Sequence, residues 1–341
     1  MSTEPAQTPV PAPRSSLATP GDAGAAAALT RSRAELAAAL AAAPGPRAVV
    51  MTMGALHEGH FDLVREAARR VGQAGTVVVT IFVNPLQFAP SEDLDSYPRD
   101  LEGDLAGLTR TLTGVDGALG VGRLVVFAPT PEVIYPAGQP SVRIDPGPIA
   151  TVLEGRTRPT HFAGVCQVVL TLMHLTSPRW ALFGRKDAQQ LAIIEAMVRD
   201  LAVPLEIVPV GIRRESDGLA MSSRNAYLSP EQRGQALALS RALQAGRDAA
   251  AQAAGTSPDP AAIRLAALAC LEAADGVEID YVALVDPDGF EDLTDAGLGL
   301  PRRAAAREGV GEGLPAVGLL AVAARVGTTR LIDNTLIDLR P

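Results

Sequence analysis

The most informative residues are His57 and His60, two of only four histidines in a 341-residue chain. An apolar run precedes them and a helical spacing of apolar residues follows, so a strand should pass through a glycine turn into a helix that begins at the imidazoles. A helix N-terminus has unpaired N–H groups and partial positive charge, and therefore binds anions such as phosphate. Imidazoles placed there add hydrogen-bond donors. The pattern indicates a nucleotide-phosphate site.

Two other interpretations of the histidine pair stay open. Both side chains would be surface polar groups if the helix simply faced solvent. Zinc binding would need a third ligand from elsewhere in the chain, and the pair is not the H-E-x-x-H pattern, because that pattern needs a spacing of four and His57 and His60 are three apart.

Amide side chains follow the next apolar run. Residues 76–83 are nearly all apolar, as in a parallel strand buried on both faces, and Asn84-Pro85 and Gln87 come directly after it. Amides at the carboxyl end of a strand can face a polar ligand. An ordinary X-Pro turn would explain the same residues.

A glycine and a cation follow a later strand. Gly184, Arg185 and Lys186 stand between the strand predicted at 179–183 and the helix predicted at 187–201, which begins with Asp187. Glycine permits close backbone approach, and lysine supplies a compact charge for phosphate. A surface lysine is the alternative, although the start of a helix is an unfavourable place for a cation, which favours a ligand-driven reason for Lys186.

Two further segments carry polar groups. Asp217-Gly218 leads to Ser222, Ser223 and Arg224, which would form a phosphate clamp on a mobile loop, or simply a polar linker. Residues 154–164 mix charges, glycines and His161 before an apolar helix. They would position a substrate carboxylate, or only begin the helix with Thr160 as its cap.

The composition is that of a folded chain, with 47% hydrophobic residues and a net charge of −8. An acidic chain without a basic stripe is not expected to bind nucleic acid generally. No apolar run reaches the ~18 residues that a membrane helix needs, and the first residues lack the pattern of a signal peptide. Cys166 and Cys270 fit no metal or redox spacing, so we expect free thiols in a cytoplasmic protein.

Alternating strands and helices to about residue 212 predict an α/β fold, a Rossmann-like doubly wound parallel sheet. We expect a disordered tail at 1–26, this domain at 27–212, and a smaller α+β domain at 213–341. The first domain should open with a helix over 27–43. In the second, helices are expected at 230–253 and 260–274, strands at 277–285, 319–326 and 329–337, and a long solvated loop at 287–314.

Together these motifs resemble the pantoate–β-alanine ligase family, within the nucleotidylyl transferases that carry a HIGH-like histidine motif. The resemblance covers about residues 27–341 and depends on five segments in order: MGALHEGH, IFVNPLQF, LEGRTRPTHFAGV, FGRKDAQQL and DGLAMSSRN. It implies that ATP, with Mg²⁺, activates pantoate as an adenylate, and that β-alanine then attacks the acyl carbon. It also implies a homodimer, an ATP- and pantoate-binding first domain and a C-terminal lid.

The resemblance also implies roles for single residues. His60 and His57 would contact the phosphates, with His60 as the proton donor, and Lys186, Ser222, Ser223 and Arg224 would stabilise charge on the triphosphate. Gln87 and Gln190 would hold pantoate with Asn84 nearby, and Asp104 would help to bind magnesium. The ATP site would comprise Met53, Gly54, Ala55, Leu56, His57, Glu58, Gly59, His60, Gly184, Arg185, Lys186, Asp187, Arg213, Met221, Ser222, Ser223 and Arg224.

The chain departs from the family pattern at four positions. Met51 stands where proline is usual, Arg185 where glutamate is usual, Ala188 where tyrosine is usual, and Gly103 at an often acidic position. We hypothesise that Arg185 adds positive potential beside the triphosphate and tightens ATP binding. An unchanged KM for ATP in the variant Arg185→Glu would contradict this hypothesis.

Two other functions remain as alternatives. One is a different nucleotidylyl transferase of the same superfamily, against which the two glutamines and the long second domain argue. The other is a nucleotide-binding module without catalysis, because a fold does not fix a function. A dehydrogenase is disfavoured, since no G-x-G-x-x-G follows the first strand.

Overall fold

The larger sheet is parallel and has six strands in the order β1-β4-β3-β2-β5-β6. The computed structural model describes residues 27–43, 45–89, 94, 97–114, 120–253, 256–294, 300 and 315–341. The strands are β1 (Ala27–Thr30), β2 (Arg47–Thr52), β3 (Thr76–Ile81), β4 (Arg123–Phe127), β5 (Trp180–Gly184) and β6 (Glu206–Val210). This arrangement confirms the predicted Rossmann-like sheet.

Helices cover both faces of this sheet, which is why its central strands are apolar throughout. One buried cluster includes residues of α1 (Arg33–Ala41), α6 (His161–Thr176) and α7 (Ala188–Asp200). The cluster on the opposite face includes residues of α2 (Glu58–Val71) and α3 (Leu101–Leu112). Two short helices, α4 (Pro131–Ile134) and α5 (Glu154–Thr157), lie between β4 and α6 in the sequence.

The strand order positions the ligand site. From β2 the chain adds β3 and β4 on one side, and then returns to place β5 on the other side of β2. In sheets of this kind, ligands bind outside the carboxyl ends of the strands at such a reversal. The predicted motifs after β2, β3 and β5 all fall at that edge.

The second sheet is antiparallel, in the order β7-β8-β9. Its strands are β7 (Val277–Val285), β8 (Val317–Val326) and β9 (Thr329–Asp338), and α8 (Pro230–Ala251) and α9 (Pro260–Glu272) pack against it around a separate core. This confirms the expected α+β unit. The boundary at residues 212 and 213 stays a prediction.

The helix expected at 27–43 was wrong in its first part. Residues 27–30 form β1, which pairs in parallel with β4, and the Thr30 hydroxyl donates to the carbonyl of Val126. The helix begins only after Ser32, whose side chain forms a capping box with Glu35. Alanine and leucine favour a helix locally, but pairing with β4 overrides that preference.

The long solvated loop expected at 287–314 was also wrong in part. Phe290 and Leu300 are buried in a cluster with residues of β7 and β8, and the amide of Phe290 donates to the carbonyl of Asp286. Residues 295–299 and 301–314, like the tail expected at 1–26, lie outside the described residues. In the described part of the chain, no helix is long and apolar enough to span a membrane.

Candidate active site

Two adjoining cavities lie where the strand ends of the larger sheet meet the second unit. The narrower, of about 270 Å³, lies at the carboxyl ends of β2, β3 and β5 and is closed by the segment after β6. The wider, of about 550 Å³, extends from it to β7, β8 and β9. Seven residues line both cavities: Arg158, His161, Lys186, Asp187, Gln190, Ser222 and Arg224.

The turn between β2 and α2 is held by a buried carboxylate. Gly54 and Ala55 both have positive φ, of 92° and 50°, which an alanine adopts only under constraint. Asp104 supplies it: its Oδ2 accepts from the Ala55 amide at 3.1 Å and its Oδ1 from the Leu56 amide at 2.6 Å. Because Asp104 is 3% exposed and lines neither cavity, the geometry assigns it to this turn. The expected part in magnesium binding stays a prediction.

The same turn fixes the tautomers of the two histidines. Nδ1 of His57 accepts from the Gly59 amide at 3.1 Å, and Nδ1 of His60 accepts from the His57 amide at 3.3 Å. A neutral imidazole that accepts at Nδ1 carries its proton on Nε2. Both rings line the narrow cavity. They therefore offer two N–H donors at the start of α2, where the helix also favours an anion.

Burial keeps both imidazoles neutral. Burial is the main cause that lowers the pKa of His60 to about 3, and the nearby charges of His57 and Lys186 act in the same direction. Burial also lowers the pKa of His57, and the positive charge of Lys186 acts in the same direction. A neutral His60 acts as a hydrogen-bond donor in the ligand-free protein. The proton-donor role expected for His60 requires a bound phosphate, which would raise its pKa by opposite charge.

Position 59 favours glycine, because a side chain there would press against the ring of His57. A Cβ at this position would lie 3.0 and 3.1 Å from Cε1 and Nδ1 of the His57 ring. Glu58, also expected in the ATP site, pairs instead with exposed Arg65 at 2.9 Å and lines neither cavity.

The amide of Asn84 has no hydrogen-bonding capacity left for a substrate. Its Nδ2 donates to Gln87 Oε1 and to the Gly164 carbonyl, and its Oδ1 accepts from the Leu86 amide and the Tyr135 hydroxyl. Those are the two donors and two acceptor sites that an asparagine side chain possesses. Asn84 is 1% exposed and lines neither cavity, so the structure gives it the role of orienting Gln87 rather than the expected substrate contact.

Gln87 is thereby oriented with its amino group towards the narrow cavity. Oε1 accepts from Asn84, which fixes the two ends of the amide, and Nε2 donates to Sδ of Met53 at 2.9 Å in the wall of that cavity. Gln190 lines both cavities, and its side chain has no hydrogen bond to any described residue. The two glutamines therefore bring amide groups to one space, and the contact with pantoate that the resemblance implies for them stays a prediction.

Lys186 lies in a short 3-10 turn, Arg185–Asp187, between β5 and α7. Its ammonium is 3.6 Å from Asp187 Oδ1, and both side chains line the two cavities. Burial would raise the pKa of Asp187, but Lys186, His161 and Arg224 outweigh it and hold that pKa below its usual value. Arg185 lines neither cavity, so its expected effect on ATP stays a prediction without a contact behind it.

The segment after β6 closes the narrow cavity. Arg213, Met221 and Ser223 line it together with Ser222 and Arg224, and Gly184 lines it from β5. The Ser222 hydroxyl accepts from the Arg224 amide at 3.3 Å and so begins a short 3-10 helix. The hydroxyls and the guanidinium thus reach the space where the imidazoles and Lys186 are found.

Two cavity residues were noted in the sequence only as part of segment 154–164. His161 Nδ1 donates to the Gln87 carbonyl at 3.1 Å, and Arg158 donates to His161 Nε2 and to the same carbonyl. The segment therefore supports the Gln87 turn as one wall of the cavity. Thr160 occupies the N-cap position of α6, as expected, but its side chain makes no capping hydrogen bond.

Asp333 and Asn334 on β9 were missed altogether. Both are buried, both line the wider cavity, and both contact segments of the phosphate site. A polar pair inside an apolar strand was the signal available in the sequence, but its partners lie more than 100 residues away.

Comparison with known proteins gives one consistent result. The family model described as pantoate-beta-alanine ligase matches residues 28–336. A pantothenate synthetase of Nocardioides sp. is 48% identical over 312 residues, which are 90% of this chain and 84% of that protein.

Solved structures agree. The crystal structure of pantothenate synthetase from Thermus thermophilus has a TM-score of 0.75 and 41% identity, and the match covers 92% of this chain and 99% of that one. The pantoate-beta-alanine ligase of Francisella tularensis, complexed with beta-gamma ATP and beta-alanine, has a TM-score of 0.64 and 27% identity over 90% of this chain and 97% of that one.

Proposed function

The chain belongs to the pantoate–β-alanine ligase family and catalyses the ATP-dependent ligation of pantoate to β-alanine, and we propose that it does so through a pantoyl adenylate formed in the narrow cavity. The observation that carries the residue assignments is the convergence of four segments on that cavity. They follow β2, β3, β5 and β6, and they bring imidazole, amide, ammonium, hydroxyl and guanidinium groups to one space. Four of these groups suit phosphate, and the amides suit a hydroxy acid.

In the first step, a carboxylate oxygen of pantoate attacks the α-phosphorus of ATP. The bond from that phosphorus to the bridging oxygen breaks, and pyrophosphate leaves with the electron pair. Such a displacement needs alignment and charge neutralisation rather than covalent help from the protein. We assign the Nε2–H groups of His57 and His60, with Lys186 and Arg224, to the phosphate oxygens, and Ser222 and Ser223 to hydrogen bonds with the same group.

Pantoate is assigned to the two glutamines. The contacts with Asn84 and Met53 place the donor Nε2 of Gln87 at the wall of the narrow cavity, so Gln87 suits an acceptor such as a carboxylate or a hydroxyl lone pair. No described residue hydrogen-bonds to the side chain of Gln190, so its amide suits a hydroxyl that donates and accepts. Together they would hold the carboxylate near the α-phosphorus.

In the second step, the neutral amine of β-alanine attacks the acyl carbon of the adenylate. The acyl–oxygen bond breaks, AMP leaves with the electron pair, and the amine gives up one proton to the AMP phosphate or to water to yield the amide. The reactive adenylate must be kept from water until then. We assign this protection to the Ser222–Arg224 segment and to the unit at 213–341 acting as a lid.

The donor set fits a magnesium ion that arrives with ATP. Among the described residues, Asp187 is the only carboxylate that lines the narrow cavity, and these residues contain no group of three or more His, Cys, Asp or Glu side chains that would hold a metal. Mg²⁺ usually keeps several waters and leans on phosphates with one or two carboxylates. Asp187 is the residue that would hold it there, and the ion would supply charge neutralisation on the phosphates.

We also propose an oligomeric state and a cellular compartment. The homodimer is implied only by the family resemblance. The free thiols of Cys166, which is buried, and Cys270 are compatible with a reducing cytoplasm. Both statements remain proposals.

The decisive experiment measures pyrophosphate release from Mg-ATP and pantoate, with and without β-alanine. We expect about one equivalent without β-alanine and continuous turnover once it is added. Release with a different acceptor, such as a nicotinamide or pantetheine phosphate, would favour another nucleotidylyl transferase. Binding of ATP without release under any condition would favour a non-catalytic module.

Matched variants test the site assignment. His60→Ala should remove most release, whereas His174→Ala, at the exposed end of α6, should retain it. Equal activity of the two variants would contradict the assignment of His60.

A further inference from the structure

Strand β9 carries polar side chains where a sheet strand would normally be apolar. Asp333, Asn334 and Thr335 are consecutive and are 3%, 5% and 5% exposed. Buried polar groups are stable only when they are paired. For the first two residues, the partners lie outside the smaller sheet, in the segments that carry the cations of the phosphate site.

Asn334 holds the turn that carries Lys186. Its Nδ2 donates to the carbonyl of Arg185 at 2.9 Å and to the carbonyl of Lys186 at 2.8 Å. Both donors of this amide are therefore used on two successive residues. Gly184, which precedes the 3-10 turn, has no side chain to cap it, and Asp187, which precedes α7, makes no capping hydrogen bond with its side chain. The contacts from β9 thus supply what local capping does not.

Asp333 holds the other cationic segment. Its Oδ2 accepts from Nη1 of Arg214 at 2.6 Å and its Oδ1 from Nη2 at 3.0 Å, a bidentate pair with a carboxylate that is 3% exposed. Arg214 bridges to Ala220, and Met221 donates to the carbonyl of Arg213. This pairing closes the small hairpin that leads directly to Ser222.

Successive side chains of a strand point to opposite faces, so β9 contacts the hairpin through one residue and the Lys186 turn through the next. Donors that are held in place beforehand avoid reorganisation during the reaction. The chain therefore needs contacts that keep the two segments together, and Asp333 and Asn334 are placed to provide them.

We propose that Asp333 and Asn334 are positioning residues for adenylate formation, which hold the Lys186 turn and the Ser222–Arg224 segment in register across the triphosphate. This rests on the proposed function. The triphosphate is present only in the first half-reaction, because pyrophosphate has left before β-alanine attacks. Loss of either contact should therefore slow the first half-reaction far more than the second.

The test separates the half-reactions. Pantoate-dependent exchange of labelled pyrophosphate into ATP reports adenylate formation, and pantothenate release from chemically prepared pantoyl adenylate and β-alanine reports amide formation. For Asn334→Ala we expect the kcat/KM for ATP in exchange to fall about tenfold to a hundredfold, the loss typical of a misplaced reacting group. Amide formation should stay within about threefold of the wild-type rate on the same reasoning.

A second variant and a control variant distinguish a selective loss from general misfolding. Asp333→Asn keeps the shape of the side chain but removes the charge that pairs with Arg214, and it should show the same selective loss. Leu336→Ala, on the same strand but 43% exposed, should change neither half-reaction. Amide formation in the same preparation shows that the site is folded.

The outcomes are distinct. Equal losses in both half-reactions, or unchanged exchange in Asn334→Ala and Asp333→Asn, would overturn the positioning role. An absence of exchange in the unmodified protein would instead overturn the proposed adenylate, whatever the variants do.

Discussion

The main-chain amide of His57 donates to Nδ1 of His60 at 3.3 Å, and the centroids of the two imidazole rings are 4.1 Å apart. This is one arm of a capping box at the start of α2, in which the Nδ1 atom of His57 completes the other. The helix cap that orders the backbone therefore also orders the two rings. Their Nε2–H groups are directed before any ligand binds.

The first prediction concerns pH. The pKa of His60 is about 3 in the folded protein against an ordinary value of 6.5. Between these values the unfolded chain takes up a proton that the folded chain does not, so the free energy of unfolding falls as pH drops through this window. Replacing His60 by asparagine removes that dependence. The advantage in stability of the wild type over His60→Asn should shrink by about 1–2 kcal/mol from pH 7 to pH 5.

Urea unfolding at each pH measures this difference. His174→Asn, at an exposed position, serves as the matched control and should unfold in parallel with the wild type over the same range. If His60→Asn also runs parallel to the wild type, His60 is not held neutral by the fold.

The second prediction concerns Gly59. Replacing glycine by alanine inside a helix ordinarily stabilises it by up to about 1 kcal/mol. At Gly59 the new methyl group would lie 3.0 Å from the His57 ring and push it from its place. We expect Gly59→Ala to lower the rate of pyrophosphate release about tenfold by misplacing a donor, without a lower melting temperature.

Gly234→Ala in α8 is the control, because a methyl group there meets no atom within 4 Å. It should raise the melting temperature slightly and leave the rate unchanged. Full activity of Gly59→Ala would show that the position of the His57 ring does not limit the reaction.

Much of this arrangement could be predicted from the sequence because it is local. The strand, turn and helix around His57 follow from apolar spacing and glycine placement, and Lys186 follows from the same logic at β5. What could not be predicted depends on distant partners. Residues 27–30 form a strand because they pair with β4, whereas their own alanine and leucine residues favour a helix.

The same dependence on distant partners explains the contacts of Asn84 and Asp104, which the sequence did not predict. Asn84 was expected at the substrate because it follows a strand, yet Tyr135, 51 residues further on, and Gly164 occupy its amide. The metal role expected for Asp104 stays a prediction, and its carboxylate accepts from the Ala55 and Leu56 amides, which the sequence did not indicate. The spacing of residues along the chain can place a polar residue near the site, but only the fold shows which groups form hydrogen bonds with it.

The third prediction tests the orientation of Gln87. The Tyr135 hydroxyl donates to Asn84 Oδ1 at 3.0 Å, and Asn84 in turn fixes the amide of Gln87. Tyr135→Phe removes the hydroxyl, so the Asn84 amide loses a partner and Gln87 can rotate. We expect the KM for pantoate to rise about three- to tenfold, which matches a lost hydrogen bond of roughly 1 kcal/mol, and the KM for ATP to change less.

Tyr227→Phe, which removes a hydroxyl from a side chain that is 48% exposed, is the comparison for this measurement. Equal shifts in the KM for pantoate and for ATP would indicate a general disturbance rather than a loss of amide orientation.

The fourth prediction concerns the contact between the two units. Arg330 on β9 donates to both carboxylate oxygens of Glu154 at 2.7 Å and to Asp280 at 2.8 Å, and the Tyr281 hydroxyl also donates to Glu154. The side chains of Arg330 and Glu154 are only 15% and 12% exposed. Removing the cation leaves the carboxylates of Glu154 and Asp280 without the positive charge that pairs with both, so Arg330→Met should lower the free energy of unfolding by about 3 kcal/mol.

A double-mutant cycle separates this loss from the loss of packing. Glu154→Gln removes one of the two unpaired negative charges. Adding it to Arg330→Met should therefore recover more than about 1 kcal/mol of the lost free energy of unfolding. Arg340→Met, which breaks the exposed pair with Asp338, should cost less than about 1 kcal/mol. Additive effects of Arg330→Met and Glu154→Gln in urea unfolding would mean that the pair does not join the two units energetically, and that packing alone sets their contact.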